Sequence, residues 1–277
     1  MEYSAVFFGL ISAVTWGAGD FSGGMAVKRT NPYGVVISAH VMSLFMMVAL
    51  ALVFGEQIPP LSDWLWGAAA GLCGGVGLAL LYRALAMGQM SVAAPVSALV
   101  AASLPVLISA FSDGLPRWIT LVGFVLALTA VWLISGGVGI ELRLDHLYLP
   151  IVAGLTFGAF FVFLHYGSST SIFWTLAATR VASITGLLGY SIIARERWFP
   201  TSDSWGFIAM SSVLDAAGNA FYAISARMGR MDVAAVLGSL YPGSTVLLAW
   251  FILKERISPL QMIGISVALV AIVLITV

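Results

Sequence analysis

The sequence predicts an all-α integral membrane protein of ten transmembrane helices, arranged as two inverted-topology five-helix repeats. Three observations lead to this fold class. Of the 277 residues, 61% are hydrophobic and only 9% are charged, whereas about 25% of the residues of soluble domains are charged. Apolar segments of roughly 20 residues, the length that crosses the hydrocarbon core, recur along the whole chain. The third observation is an internal duplication.

The duplication has an offset of 141 residues. Met228 to Leu240 repeats the pattern of Met87 to Leu99, with six identities in the first eight positions. Gly123 to Ile134 corresponds in the same way to residues 264–275, with six identities in twelve. We therefore predict one repeat over residues 1–140 and a second over residues 141–277.

The apolar segments divide evenly between the two repeats and are joined by short connections with turn residues such as Asn31-Pro32. Because each repeat has an odd number of spans, two consecutive copies must lie in the membrane with opposite orientation. Inverted repeats around a midplane site are a recurrent transporter architecture. The predicted spans are 5–26, 34–54, 64–86, 91–111 and 117–138 in the first half, and 147–167, 173–194, 204–226, 232–253 and 258–277 in the second.

The first and third spans have distinct features. The first follows a start, Met1 to Ser4, that lacks the basic region of a cleavable signal peptide, so we expect it to be retained as a span. The third is rich in glycine, which lets helices approach closely in lipid.

Proline distinguishes the fourth and ninth spans. Pro95 and Pro105 lie in the fourth, and Pro242-Gly243 lies in the ninth. Proline removes a backbone donor and kinks a helix, and the freed carbonyls are tolerated where they line a cavity. We expect these two spans to be kinked, gating helices.

Basic residues are concentrated on the side opposite the N-terminus, which favours both termini outside the cell. We expect a multi-pass protein of the bacterial inner (plasma) membrane. The basic residues on that side are Lys28, Arg29, Arg83, Arg143, Arg195, Arg197, Lys254 and Arg256.

Several motifs carry a resemblance to a known family. The first span contains Trp16-Gly17, and the second half closes with Leu240-Tyr241-Pro242, Leu253-Lys-Glu-Arg256 and a last span with Gln261 and Gly264 near its start. In these motifs the chain resembles the drug/metabolite transporter (DMT) superfamily, in particular ten-span proteins built from two EamA domains. The first copy departs from the pattern, because Asp113-Gly114 replaces the glutamate turn. The resemblance implies a secondary transporter, often an exporter of amino acids or related metabolites, and not an enzyme.

Polar groups at membrane depth are costly and are functional candidates by default. Asp215, Asn219 and Tyr222 lie in the eighth span at positions i, i+4 and i+7, so they share one face of a helix. A carboxylate, an amide and a phenol on one stripe can bind an amine or a hydroxyl. The alternative is an internal hydrogen-bond cluster that holds helices together.

Other spans add further candidates. Asp20 lies one turn after Trp16 and either contributes a second carboxylate to the site or lies at the membrane interface. Arg180 either binds a substrate carboxylate through its fork or pairs with Asp20 or Asp215. Tyr241 offers a polar handle to a substrate, with ordinary helix packing as the alternative.

Proton coupling is a hypothesis with three candidates, Asp20, Asp215 and His40. Histidine titrates near neutral pH, although a lone histidine in such a span is more often a neutral packing residue. A carboxylate takes this role only where burial lets it hold a proton.

Composition bounds the partners. The net charge of zero gives no reason to expect nucleic acid. Cys73 is the only cysteine, so there is no disulfide framework, and no close cluster of His, Asp and Glu indicates a metal site. We expect no cofactor. The expected partners are a small-molecule substrate, the lipid bilayer and, as a hypothesis, the proton.

We therefore expect a secondary active transporter that exports a small metabolite, an amino acid or a related zwitterionic or neutral compound, by alternating access at a midplane site. A translocase of a lipid or lipid-linked precursor shares the architecture but needs a cavity that opens sideways to lipid. An intramembrane aspartyl protease is the weaker alternative. Gly17 to Asp20 matches the Gly-x-Gly-Asp string of such proteases, but Asp215 follows Leu214 and lacks their Tyr-Asp pair.

Overall fold

Eleven α-helices form the described part of this computed structural model, which covers residues 3–87, 90–134, 144–196, 199–254 and 258–276. Seven helical segments are long and apolar enough to cross a membrane, and three shorter apolar helices complete the ten predicted spans. The all-α, ten-span prediction is confirmed. The helices are α1 (Tyr3–Val27), α2 (Pro32–Val53), α3 (Leu61–Ala86), α4 (Met90–Ser112), α5 (Trp118–Ile134), α6 (Leu144–Gly167), α7 (Ile172–Ile193), α8 (Trp205–Met228), α9 (Met231–Gly238), α10 (Tyr241–Leu253) and α11 (Pro259–Thr276).

The helices pack in pairs that the duplication relates. α1 lies against α8, and α3 lies against α6, which is the same pairing with the two halves exchanged. α4 packs on α6 as α9 and α10 pack on α1, while α2 packs on α7 and α5 on α11. Two repeats of opposite orientation produce this pattern. The predicted boundary between residues 140 and 141 lies outside the described residues.

The ninth span is broken. α9 ends at Gly238, and α10 begins at Tyr241. Pro242 is the second residue of α10, where a helix does not use the missing N–H, whereas a continuous helix would need that N–H to reach the carbonyl of Gly238. In α4, by contrast, the helix runs without interruption through Pro105. The side chain of Pro95, also in α4, lies outside the described residues.

Two pairs of helix ends repeat the duplication in their backbone geometry. Gly55 (φ 60°) and Arg195 (φ 54°) follow α2 and α7, and Gly114 (φ 76°) and Lys254 (φ 55°) follow α4 and α10. A left-handed residue commonly ends a helix, and glycine takes this conformation without a Cβ penalty. The members of each pair are 140 residues apart, one fewer than the offset of the matching stretches.

Glycines of α3 bring that helix into close contact with α7. A Cβ at Gly71 would overlap the backbone of Thr179, and a Cβ at Gly75 would overlap the side chain of Ser183. Gly67, one turn earlier, faces α7 in the same way. Small residues at a spacing of four let membrane helices approach closely. This approach brings polar residues of α7 next to helices of the first half.

Candidate functional site

A small cavity lies between the two halves of the protein. Its volume is about 60 Å³, which leaves room for only a few water molecules, whereas small-molecule pockets typically measure roughly 300–1,000 Å³. Helices α1 to α4 of the first half and α6 to α8 and α10 of the second contribute to its wall. Of the residues predicted for the site, those that line it are Trp16, Asp20, His40, Arg180, Asp215, Asn219 and Tyr241.

Arg180, in the middle of α7, is the centre of the polar network. Its NH2 donates to Oδ2 of Asp215 across 2.7 Å, and its NH1 lies 3.1 Å from Nε2 of His40. Its Nε is buried and finds no hydrogen-bond partner among the described residues. Of the partners considered for Arg180, the structure therefore places Asp215 against it.

His40 joins α2 to two positions of α7. Besides its contact with Arg180, its Nδ1 lies 2.7 Å from Oγ of Ser183, one turn further along the same helix. Its Nε2 is also 4.0 Å from Oδ2 of Asp215. The imidazole is buried, at 3% exposure, so all these contacts are made away from solvent.

The network continues from α8 to α1. Nδ2 of Asn219 donates to Oδ2 of Asp215 across 3.1 Å, and Nε1 of Trp16 donates to Oδ1 of Asn219 across 3.0 Å. Four helices, α1, α8, α7 and α2, are thus joined by one run of side-chain contacts. The stripe predicted on α8 does place Asp215 and Asn219 together at the cavity.

Asp20 is the second carboxylate of the cavity, and it differs from Asp215 in its surroundings. Within the described residues its carboxylate receives no hydrogen bond and forms no ion pair, although it lines the same cavity as Asp215. A carboxylate at membrane depth is stable only when a charge, a donor or a proton compensates it. Asp20 is therefore the group of the cavity with most to gain from a cation.

Trp16 forms one aromatic wall, and Tyr222 lies behind it. The Trp16 ring stacks on Phe161 at 5.3 Å and lies 5.7 Å from the Tyr222 ring. Tyr222 is fully buried and donates its hydroxyl to the Phe161 carbonyl across 3.2 Å. It is absent from the cavity lining that the described residues form, so its contact with a substrate stays a prediction.

Tyr241 connects the broken ninth span to α4. Tyr241 lines the cavity, and its hydroxyl donates to the carbonyl of Ala94 across 3.0 Å and lies 3.0 Å from Oγ of Ser97. The hydroxyl is thus engaged with α4 by both contacts.

Sequence reasoning missed part of the lining. Phe157, Phe160 and Phe161 of α6 and Gly74 of α3 all face the cavity. The duplication carried a signal for two of them, because Phe157 and Phe161 lie 141 residues after Trp16 and Asp20. Ser183, which supports His40, had no such signal. Among the described residues, no group of three or more His, Cys, Asp or Glu side chains is placed to hold a metal ion.

Comparison with known proteins identifies the family. The EamA-like transporter family matches the chain twice, over residues 3–136 and again over residues 146–277. The chain belongs to the EamA-like transporter family. It is thus a multi-pass membrane transporter of the DMT superfamily, in agreement with the resemblance of its motifs. Because the family is one of transporters, this membership also agrees with the expectation that the chain is not an enzyme.

A solved structure supports the fold of this EamA-like transporter. It is described only as the crystal structure of a protein, and it superposes with a TM-score of 0.82 at 16% identity, covering 100% of this chain and 97% of the other. At that identity the similarity speaks for the fold alone. No curated protein matches the sequence.

Proposed function

We propose that this EamA-like protein is a secondary active transporter that exports a small metabolite, an amino acid or a related zwitterionic or neutral compound, by alternating access. The observation that carries the proposal is the cavity between the halves, which combines the free carboxylate of Asp20 with the Arg180–Asp215 pair and aromatic walls. Inverted-repeat transporters bind their substrates at such a midplane interface. The proposed coupling ion is the proton.

Each polar group has a proposed role. Asp20 receives the ammonium or hydroxyl group of the substrate, or a proton in its absence. Arg180 retains a buried Nε–H without a partner among the described residues, and this donor suits a carboxylate of the substrate. Trp16 and Tyr241 supply apolar surface. The cavity of about 60 Å³ must enlarge to admit such a compound. We therefore assign the present conformation to a closed state of the transport cycle, in which the site is too small for a substrate.

Opening requires the halves to move, and the break in the ninth span offers a place for movement. Ser239, between α9 and α10, lines the cavity. Discontinuous helices are a recurrent feature of transporter substrate sites, because unwound backbone next to a cavity is satisfied by protein, water or substrate. We propose that α10 moves relative to α9 as one side opens.

A thermal-shift screen of the detergent-purified protein against amino acids, amines, sugars and nucleosides tests the proposal. A ligand that binds the folded state raises its apparent stability. We expect a zwitterionic or neutral compound to stabilise the wild type and the control Asp203→Asn, whose carboxylate lies at the surface, but not Asp20→Asn. An equal shift in Asp20→Asn would move the site away from Asp20. Stabilisation by phospholipid alone would favour the translocase.

The protease alternative has a structural obstacle. An aspartyl dyad needs two carboxylates that share a proton, whereas Oδ2 of Asp215 already accepts from Arg180 and Asn219. Peptide cleavage by the purified protein, lost in both Asp20→Asn and Asp215→Asn, is the result that would revive this alternative.

A further inference from the structure

We propose that His40 is a positioning residue of the transport site, which holds Arg180 as a neutral hydrogen-bond acceptor and does not carry a transported proton. The inference deepens the proposed function and rests on it for the link to transport. The tautomer that the proposal assigns to His40 can be tested without a substrate.

The contacts of the imidazole select one tautomer. NH1 of Arg180 lies 3.1 Å from Nε2 of His40, and a guanidinium has donors and no acceptor. Nε2 must therefore offer its lone pair, which leaves the ring proton on Nδ1. Nδ1 lies 2.7 Å from Oγ of Ser183, and a hydroxyl oxygen accepts such a bond. The neutral ring with its proton on Nδ1 satisfies both contacts at once.

The surroundings of His40 allow no second proton in this conformation. α7, α8, α3 and α1 pack against α2, and Arg180 is the cation that faces the ring. Asp215 of α8 lies 4.0 Å from Nε2, but Arg180 reaches the same Oδ2 at 2.7 Å. From α1 the charged group of the cavity is Asp20. The buried titratable groups of α3 are Asp63 and Tyr82, and neither is among the described residues that line the cavity.

A proton on Nε2 would create two adjacent cations with their donors facing each other. Two like charges at this distance repel strongly at the low dielectric of a protein interior. His40 therefore takes up a proton only if Arg180 first leaves. Proton uptake would dismantle the Arg180–Asp215 pair, so the histidine is suited to hold the pair and not to cycle with each turnover.

The position of Arg180 depends on this acceptor. Asp215 binds NH2 and His40 binds NH1, which together fix the plane of the guanidinium. Without His40, one of these two restraints is lost, and the side chain is free to turn towards Asp20, the other carboxylate of the cavity. That movement would neutralise the group that we propose receives the substrate. We therefore expect loss of His40 to weaken substrate binding while the pH profile of transport is kept.

The backbone packing supports the arrangement. A Cβ on Gly75 of α3 would overlap Ser183. The glycine therefore makes room for the hydroxyl that accepts the hydrogen bond from Nδ1 of His40. Ser212 of α8 also donates to the carbonyl of Ala39, across 2.7 Å, which ties α2 to α8 next to His40. Contacts from α3, α7 and α8 thus fix the surroundings of the imidazole.

The first test is nitrogen NMR of protein labelled with ¹⁵N-histidine, with the His40 signals identified by their loss in His40→Gln. We expect the tautomer with the proton on Nδ1 at about pH 8, and the same signals at about pH 6, where an ordinary histidine is largely charged. An imidazolium signal from His40 at the lower pH, or a proton on Nε2 at either pH, would overturn the proposal. This result does not depend on whether any substrate is found.

The second test uses vesicles with a trapped pH-sensitive dye and a mixture of the common amino acids as the probe. Gln at position 40 keeps an acceptor for Arg180 and a donor for Ser183 but does not titrate, so His40→Gln should retain flux and its pH profile. His40→Leu should raise the half-saturating concentration of the amino acids at least about tenfold, as expected for a lost hydrogen bond to a charged group. His165→Leu on α6 is the control and should leave that concentration unchanged.

The two failures are distinguishable. Loss of the pH dependence in a folded His40→Gln protein would make His40 a proton carrier and overturn the proposal. Absence of flux in the wild type would instead count against the proposed function, while the tautomer measured by NMR would stand or fall by itself.

Discussion

Arg180 donates from NH2 to Oδ2 of Asp215 across 2.7 Å, and this ion pair joins α7 to α8 at the wall of the cavity. The side chain of Arg180 is 4% exposed and that of Asp215 is 20% exposed. Removal of one partner from a buried pair leaves the other charge without compensation, which costs far more than the intact pair contributes. The pair is therefore sensitive to single substitutions, and the effects of removing both partners should be less than additive.

Asp215→Asn and Arg180→Gln should each destabilise the protein by about 3 kcal/mol, because each leaves a single charge in the interior. The double substitution leaves neither charge, so its effect should fall short of the sum by roughly 1–3 kcal/mol. Reversible unfolding in mixed detergent micelles measures all three. Additive effects would mean that the two side chains are not coupled.

The same pair explains why Asp20→Asn is the better probe of substrate binding. Asp215→Asn breaks contacts with Arg180 and Asn219 at once, so a lost ligand effect would be confounded with a damaged site. Asp20 has no such contacts within the described residues, and its substitution removes a charge without orphaning a partner.

Apolar length and the repeat were sufficient to predict the fold, because an apolar segment of about 20 residues crosses the bilayer as a helix and an odd number of spans inverts the second copy. The site was only partly predictable. Helical spacing placed Asp215 and Asn219 together, since both lie on one face of α8. The same spacing did not reveal that Tyr222 packs behind Trp16. How far the cavity extends along α8 depends on the neighbouring helices, which periodicity does not describe.

The ion-pair partner of Arg180 could not be predicted from the sequence, for a related reason. Asp20 and Asp215 lie on α1 and α8, which pack against each other, and the choice between them depends on helix separations of a few ångströms. Those separations follow from glycines such as Gly19, whose Cβ would lie 3.3 Å from the backbone nitrogen of Asp215. Periodicity shows which face a residue occupies but not how closely that face is approached.

Gly71→Ala tests the close approach of α3 and α7. The added methyl would overlap the backbone of Thr179, which has no rotamer by which to move away, so we expect the helices to separate and stability to fall by about 1–3 kcal/mol. Gly189→Ala on α7 is the matched control, because a Cβ there meets nothing within 4 Å and alanine favours the helix. Thermal unfolding of the two variants should move in opposite directions, and equal shifts would contradict the packing argument.

Glu56 tests a contact between the halves at a helix terminus. Its carboxylate accepts from Ser171 Oγ and from the backbone N–H groups of Ile172 and Phe173, at 3.0 and 2.8 Å for the latter two. An anion at the N-terminus of a helix is favoured by the unpaired N–H groups and the helix dipole. Glu56→Gln should therefore destabilise the protein by about 1–2 kcal/mol, with faster amide exchange at the start of α7.

Glu196 is the matched control for Glu56, since it occupies the corresponding place in the second half. It accepts a hydrogen bond from Nδ2 of Asn31, the N-cap of α2, across 3.2 Å, and so reaches that helix through a side chain. Glu196→Gln should cost less than about 1 kcal/mol. Equal losses for the two variants would show that direct contact with the helix N-terminus does not matter.

Pro242→Ala tests the cause of the break in the ninth span. Alanine restores an N–H that can reach the carbonyl of Gly238, so α9 and α10 should spend more time as one helix. Amide exchange over residues 238–243 should then slow roughly three- to tenfold, the effect expected of one added hydrogen bond. Flux should fall, because a continuous helix would oppose the proposed movement of α10 relative to α9. Pro105→Ala in the continuous α4 is the control and should leave exchange over residues 238–243 unchanged. If Pro242→Ala also leaves exchange over residues 238–243 unchanged, proline is not the cause of the break. The break would then be held by contacts such as those of the Tyr241 hydroxyl with Ala94 and Ser97.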